Sequence, residues 1–208
     1  MNILSINGSS RKKGNTAFAV RLLTDRISGE NDSVRHIDLA DLKMSVCTGC
    51  YGCEPKKRCV IDDDFQVVFD EMMRADVIVF GTPVYVAKES ALSSIFFERC
   101  KAFISHVEGE GREGDTMFRL YRDVRREKGN IPVMPKSRLP KGKSAYLVVT
   151  QYQIYPFENV MNLCSLVFNL LGIEVRGRWF ATECLEAGDL KGKIGREGLP
   201  VEILEATA

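Results

Sequence analysis

The sequence predicts an α/β fold: a five-stranded parallel sheet covered by helices on both faces as a three-layer sandwich. Three observations carry this. Asp76-Val77-Ile78-Val79-Phe80-Gly81 is apolar without alternation, as a strand covered on both faces is. Short apolar runs alternate with stretches of helical period along the chain. The first run ends in a polar, glycine-containing turn directly before a helix, at the carboxyl end of a strand, where open α/β sheets bind ligands. A chain of 208 residues suffices for one buried core and is short for two, so residues 1–208 are read as a single domain.

The elements follow in order. Ile3-Leu4-Ser5-Ile6 predicts the first strand, and Phe18, Val20, Leu22, Leu23 and Ile27 the helix after it. Residues 33–39 predict the second strand. Asp62-Asp63-Asp64 suits the N-cap and dipole of a helix that runs to about Arg74. The third strand, 76–81, leads into a turn, Thr82-Pro83-Val84-Tyr85. A helix is expected over 89–106, a fourth strand over 145–150, a helix over 157–171 stopped by Gly172, and a fifth strand over 173–180. Residues 107–143 do not fit. They are glycine-rich, then basic (Arg119, Arg122, Arg125, Arg126, Lys128), then punctuated by Pro132, Pro135 and Pro140. That is too long for an ordinary αβ connection, and reads as a surface excursion, a dimer arm or a lid over a cofactor site.

Composition narrows the function class. Hydrophobic residues make up 45% and charged residues 27%, as in ordinary globular proteins. A net charge of +1 offers no bulk attraction for nucleic acid or an anionic membrane. No apolar run approaches the ~20 residues of a membrane span. The start, Met1 to Gly8, lacks the basic region and apolar length of a signal peptide, so a cytoplasmic location is expected. Of seven cysteines, Cys47, Cys50, Cys53 and Cys59 cluster, while Cys100, Cys164 and Cys184 are scattered. Clustering and an odd count argue against a disulfide framework. Cys100 and Cys164 stand among apolar neighbours and read as core residues. The only histidines, His36 and His106, are assigned no role, and no acid–base triad is visible.

Two constellations carry chemistry. Gly8-Ser9-Ser10-Arg11-Lys12-Lys13-Gly14-Asn15-Thr16 joins the first strand to its helix. Backbone N–H groups and hydroxyls at a helix N-terminus favour anions, and Arg11 adds a fork of charged donors. It is neither a Walker A loop nor a G-x-G-x-x-G fingerprint, and suits a phosphate monoester better than ATP. Thr82-Pro83-Val84-Tyr85, at the end of the neighbouring strand, offers a stiff turn and an aromatic that could border a flat ring. The second constellation is Cys47-x2-Cys50-x2-Cys53-x5-Cys59. Three thiolates at two-residue gaps can wrap one corner of a cubane, and the fourth closes the site. Lys56, Lys57 and Arg58 would offset its negative charge. Zinc remains an alternative, although structural zinc sites usually use two separated knuckles, and so does a metal-free cysteine loop.

Ile6 to Thr16 resembles the phosphate-loop opening of the NADPH-dependent FMN reductase group of flavodoxin-like proteins. Gly81-Thr82-Pro83-Val84-Tyr85 resembles that group's isoalloxazine loop, and Ser90-Ala91-Leu92 with Phe97-Glu98-Arg99-Cys100 the helix after it. Ser10 and Ser94 depart from it, standing where proline and lysine are usual. The cysteine motif, with Val60-Ile61-Asp62-Asp63-Asp64 after it, resembles the iron–sulfur flavoproteins of archaea and bacteria. The likeness covers most of 1–104 and, more weakly, 144–182. It implies a flavodoxin-like fold of strand order 2-1-3-4-5, with FMN. Ser9, Ser10, Arg11, Gly14, Asn15 and Thr16 would surround the phosphate. Thr82, Pro83, Val84 and Tyr85 would border the ring, and Thr150 and Gln151 would supply a third loop. It implies a [4Fe–4S] cluster on the four cysteines, in a homodimer or dimer of dimers whose cluster loop reaches a neighbour's flavin. The implied activity is FMN-dependent oxidoreduction, with ferredoxin or NAD(P)H as donor and a small acceptor. The rivals are a cluster-free NAD(P)H-dependent FMN, quinone or nitro reductase, and an electron carrier without a substrate site.

Overall fold

The computed structural model describes residues 1–108 and 133–198. In chain order its elements are β1 (Asn2–Asn7), α1 (Asn15–Ile27), β2 (Ser33–Asp38), α2 (Cys53–Lys56), α3 (Phe65–Arg74), β3 (Val77–Tyr85), β4 (Lys88–Glu89), α4 (Ala91–Arg99), β5 (Ile104–Glu108), β6 (Val133–Ser137), β7 (Ser144–Thr150), α5 (Glu158–Leu170), β8 (Glu174–Ala181) and α6 (Asp189–Glu197). The main sheet runs β2-β1-β3-β7-β8 with every neighbour parallel, the order that the resemblance implies.

Strand pleating divides the apolar runs between two layers. Ile3, Val77, Val79, Tyr146 and Val148 pack with Ala19, Val20 and Leu23 of α1 and Leu190 of α6. Leu4, Ile6, Ile78, Phe80, Leu147 and Val149 pack with residues of α3, α4 and α5, among them Phe65, Met72, Phe96 and Phe168. The central strands therefore read as continuous apolar runs, because each face has its own helical layer. Cys100 and Cys164 are buried in the second layer, where burial pushes both thiols well above the ordinary cysteine range. No helix of the described residues is long and apolar enough to cross a membrane.

Several expected boundaries move. The helix expected over 89–106 ends at Arg99, continues as a 3-10 turn over Cys100–Phe103, and gives way to β5. Its last carbonyls find outside partners: Arg138 Nη1 donates to Ala102 O (2.8 Å) and Arg138 N to Phe103 O (2.7 Å). The chain is then free to pair with β6, from Ile104–Ser137 to Glu108–Val133. The expected excursion over 107–143 therefore leaves and returns through an antiparallel ribbon, and its part from 109 to 132 lies outside the described residues.

The turn expected at Thr82–Tyr85 is instead strand. β3 continues through it, with Pro83 opposite Thr150 at the last position of that ladder. Val86 and Ala87 then form a two-residue reversal into β4, with φ of 50° and 59°. Both central residues of such a hairpin need positive φ, and glycine or asparagine is usual there. A β-branched valine in that region is strained, and the sequence gives no sign of it.

The three acids before α3 do not simply cap it. Asp64 Oδ2 accepts from Lys43 N (2.7 Å) and Asp63 Oδ2 from Ser45 N (2.8 Å), so they hold the segment that leads to the cysteines. Asp63 Oδ1 also accepts from Phe65 N in the first turn (3.1 Å). Asp63 meets Arg99, whose side chain is fully buried, in a two-pronged ion pair of 2.6 and 2.9 Å. Arg99 Nη1 also donates to Ser45 O (2.8 Å), and the guanidinium lies 4.6 Å from the Phe65 ring centroid. One arginine thus ties α4, the start of α3 and the 43–45 strip together.

The ion pair sets an acid dependence. Burial alone would push Asp63 up, but the Arg99 guanidinium and the N–H groups of Ser45 and Phe65 outweigh it and hold the carboxyl below its ordinary value. A depressed carboxylate contributes stability that is fully present above its unfolded pKa of about 3.9 and is lost as pH falls through the lower folded value. Asp63→Asn is expected to lower the unfolding free energy at neutral pH by about 3 kcal/mol, because it leaves a buried cation unpaired. In urea titrations the difference from wild type should stay level above about pH 5 and shrink below about pH 4. A difference that grows in acid would contradict this assignment.

Candidate functional site

At the carboxyl ends of β1, β3 and β7 the chain forms one cleft. Ser9, Arg11, Gly14, Asn15 and Thr16 line it from the first loop, Pro83, Val84 and Tyr85 from the end of β3, and Thr150 and Gln151 from the end of β7. Gly14 caps α1 without any side-chain cap bond, so the first turn of the helix stands uncapped beside the cleft. Arg11 is exposed at the rim, and its guanidinium makes no hydrogen bond or ion pair among the described residues. An uncapped helix start beside an unengaged guanidinium fits a phosphate. The cleft holds ≈ 200 Å³ and is bordered by Tyr85 and Tyr152, which suits a flat ring.

Two of the twelve expected cofactor residues do not line the cleft. Ser10 points to solvent, and Thr82 is fully buried behind it. Thr82 belongs to a hydroxyl network: Ser93 Oγ donates to Thr82 Oγ1 (2.8 Å), and Ser90 Oγ donates to Gly8 O (2.5 Å). Gly8 N in turn donates to Gly81 O (2.7 Å). A Cβ on Gly8 would stand 2.2 Å from Ser93 Oγ and 2.9 Å from Gly81 O, and one on Gly81 would stand 2.2 Å from Val20 Cγ2. The missing Cβ of Gly8 lets β1 end against β3, and that of Gly81 makes room for Val20 of α1. Ser94 donates to Glu89 Oε1 (2.5 Å), which accounts for a hydroxyl where the resembling group has lysine.

The other residues serve the cleft by fixing its walls. Thr16 and Thr150 share a hydroxyl hydrogen bond of 2.5 Å across α1 and β7. Gln151 Nε2 donates to Gln153 O (3.0 Å) and Tyr155 O (2.5 Å), and its Oε1 accepts from Phe157 N (3.0 Å), which shapes the 151–157 loop. Asn15 faces a strip absent from the sequence reading. Its Nδ2 donates to Glu186 O (2.7 Å), and its Oδ1 accepts from Gly188 N and Leu190 N (3.1 and 3.3 Å). That strip supplies Cys184, Leu185 and Ala187 to the cleft and leads into α6. Burial pushes the Cys184 thiol up to about 11. Asp189 followed by Leu190 and Ile194 at helical spacing was the signal that could have found α6.

The four clustered cysteines all line a second cavity, of ≈ 140 Å³, together with Thr48, Ile61, Arg99, Lys101 and Ala102. The loop curls through left-handed backbone at Gly49, Tyr51 and Lys57, with φ of 65°, 55° and 55°. Cys53 is buried, Cys47 and Cys59 are half-buried, and Cys50 is exposed. Burial raises the Cys53 thiol above its ordinary value, while a hydrogen bond from Gly52 N lowers that of Cys50. Among the described residues no three His, Cys, Asp or Glu side chains converge closely enough to hold a single metal ion.

The charges around this cavity differ from those expected. Lys56 and Lys57 are exposed and do not line it. Arg58 turns away to Asp70 (2.7 and 2.9 Å) and stacks on Phe69. The cations at the cysteines are Arg99 and Lys101, carried from about fifty residues downstream. Burial works against the Arg99 charge, yet the bond to Asp63 and the Cys59 sulfur raise its pKa. Lys101 pairs with Glu54 (2.6 Å) and lies 5.4 Å from the Tyr51 ring centroid. A fully buried cation, an orphaned Arg99 Nε and four thiols around one space fit an anionic thiolate-held group.

An iron–sulfur flavoprotein of Methanocaldococcus jannaschii is 35% identical over 101 residues, 49% of this chain and 52% of its own. An iron–sulfur flavoprotein of Archaeoglobus fulgidus is 32% identical over 101 residues, 49% of each chain. The chain spans about half the length of the curated relatives it matches. Among solved structures, a flavone reductase superposes with a TM-score of 0.62 at 18% identity, covering 99% of this chain and 63% of its own. An NADH:FMN oxidoreductase gives 0.56 at 16% identity, covering 99% and 88%. Both share the fold. The match to the NADPH-dependent FMN reductase family extends over residues 1–117, more than half of the sequence, and the chain belongs to that family.

Proposed function

We propose that this protein is a cytoplasmic FMN-dependent oxidoreductase that carries a [4Fe–4S] cluster on Cys47, Cys50, Cys53 and Cys59. Reduced ferredoxin or NAD(P)H is its electron donor, and a small molecule its acceptor. The observation that carries the reading is the pairing of two sites in one fold. Three strand-end loops line one cleft, and four thiols line one cavity. When bound, FMN supplies one- and two-electron chemistry and the cluster one-electron chemistry.

The chain's own part is to bind and orient. Arg11 and the uncapped first turn of α1 would hold the phosphate. Pro83, Val84 and Tyr85 would border the ring on the rigid end of β3. The 184–187 strip, clamped by Asn15, would close the opposite wall. The spacing of the cysteines favours a cluster over zinc. Structural zinc sites usually draw their four thiolates from two separated knuckles, whereas here three cysteines follow at two-residue gaps with the fourth close behind. Tyr85, Tyr152, Ile154, Tyr155 and Leu185 are exposed around the cleft, an apolar rim that supports a second copy covering it in a homodimer or dimer of dimers.

Two experiments test this. Arg11→Ala should weaken FMN binding about ten- to a hundred-fold, the loss of charge-assisted bonds worth about 1.5–3 kcal/mol, and wild type should bind riboflavin much more weakly than FMN. Equal affinity for FMN and riboflavin would sink the phosphate assignment. Protein prepared anaerobically with iron and sulfide should absorb broadly near ~400 nm beside the flavin bands. A Cys50→Ala/Cys53→Ala double variant should lose iron, sulfide and that absorbance while it keeps the yellow flavin. Stoichiometric zinc or no metal in the wild type would leave a cluster-free flavin reductase as the better reading.

A further inference from the structure

Arg99 is more than a core ion pair. Three of its contacts fix the guanidinium plane: Nη1 to Ser45 O and Asp63 Oδ2, and Nη2 to Asp63 Oδ1, over the Phe65 ring. The side chain cannot turn away from the wall of the cysteine cavity, which it helps to line. Its Nε is the only buried side-chain nitrogen or oxygen without a hydrogen-bond partner among the described residues. Natural structures satisfy nearly all such groups, so this donor calls for an acceptor. Cys59 lines the same cavity as Arg99 and is a half-buried sulfur facing that space. Lysine could not do both tasks, since it lacks the fork that grips Asp63 and leaves Nε free.

We propose that Arg99 is the positioning residue of the cysteine pocket. Its Nε–H donates to the Cys59 sulfur once that sulfur is a thiolate ligand, and its fixed positive charge makes the bound cluster easier to reduce. The inference rests on the cluster reading above. Reduction adds one electron, hence one negative charge, to a thiolate-held cluster beside a fully buried cation. A buried cation and a hydrogen bond to a ligand sulfur both stabilise the added charge. Asp63 holds the cation in place and partly offsets it.

The test uses two substitutions that break the same ion pair with opposite electrostatic sign. Arg99→Gln removes the cation and leaves the anion, and Asp63→Asn removes the anion and leaves the cation. Both are loaded anaerobically with iron, sulfide and FMN, and titrated with dithionite while the cluster is followed by electron paramagnetic resonance and the flavin by absorbance. At the wild-type midpoint, Arg99→Gln should lower the ratio of reduced to oxidised cluster about tenfold, ~59 mV for one electron. Asp63→Asn should raise that ratio severalfold, and neither should move the flavin couple to the same extent. A purely structural role for the pair predicts shifts of the same sign, or cluster loss in both, and either result overturns the proposal. Should Arg99→Gln fail to fold, the upward shift in Asp63→Asn and a loss of Nε donation in Arg99→Lys decide the matter. An Arg99→Lys cluster that titrates as in wild type refutes the Nε–H···S bond. Wild type that takes up no cluster defeats the cluster reading itself and this inference with it. Wild type with a cluster and unshifted variants defeats this inference alone.

Discussion

The candidate cofactor cleft depends on the approach of two peptide units, at Gly8 and Gly81, where β1 and β3 end side by side. Parallel neighbours deliver their carboxyl ends to the same edge, so the loops that follow must share one space. With no Cβ on Gly8 the backbones hydrogen-bond and the sheet runs to the floor of the cleft, and with none on Gly81 the side chain of Val20 packs α1 against the same strand end. The space that a Gly8 side chain would have filled is taken by Ser93, whose hydroxyl joins those of Ser90 and Thr82 in a network that satisfies itself in the dry interior. A polar network of this kind is safe in a core because each member has a partner.

The same network anchors a connection between the two sites. Ser90, the N-cap of α4, bonds to Gly8 under the cleft, and Arg99, the last residue of α4, lines the cysteine cavity. Nine helical residues rise about 13 Å, so one short rigid element reports to both places. The strain at Val86 and Ala87 lies just before this helix, where β3 reverses beside the exposed Tyr85. Left-handed valine persists only where its surroundings over-determine it, and such strain gathers at functional sites. Here the strand ladder to β7, the short pairing with β4 and the buried start of α4 supply that determination.

The cysteine segment shows how little of its stability is local. Its only helix spans four residues, and it packs few apolar side chains of its own. It is held from outside, by Asp63 and Asp64 on the 43–45 backbone and by Glu98 Oε2, which accepts from Cys47 N at 3.4 Å. Arg138, the residue after β6, adds an ion pair to Glu54 (2.8 Å) at the base of the β5–β6 ribbon. The four thiols are thus gathered around one space by the scaffold and not by the loop's own packing.

By itself the sequence determined the alternation of buried strands and helices that makes a parallel sheet, the spacing of the four cysteines, and the glycine- and serine-rich turn before α1, while the strand order came from the family resemblance and the fold. Those three are local facts: apolar periodicity and motif spacing are set within a few residues, and backbone geometry leaves few ways to satisfy them. Tertiary structure alone decided what each motif touches. It brought Arg99 and Lys101 to the cysteines while Arg58 turned to Asp70, gave Asn15 to the 186–190 strip, and drew Thr82–Tyr85 into β3. The reason is physical. A buried charge or amide must find its partner in whatever the fold places beside it, and that neighbour is chosen by packing between residues far apart in the chain.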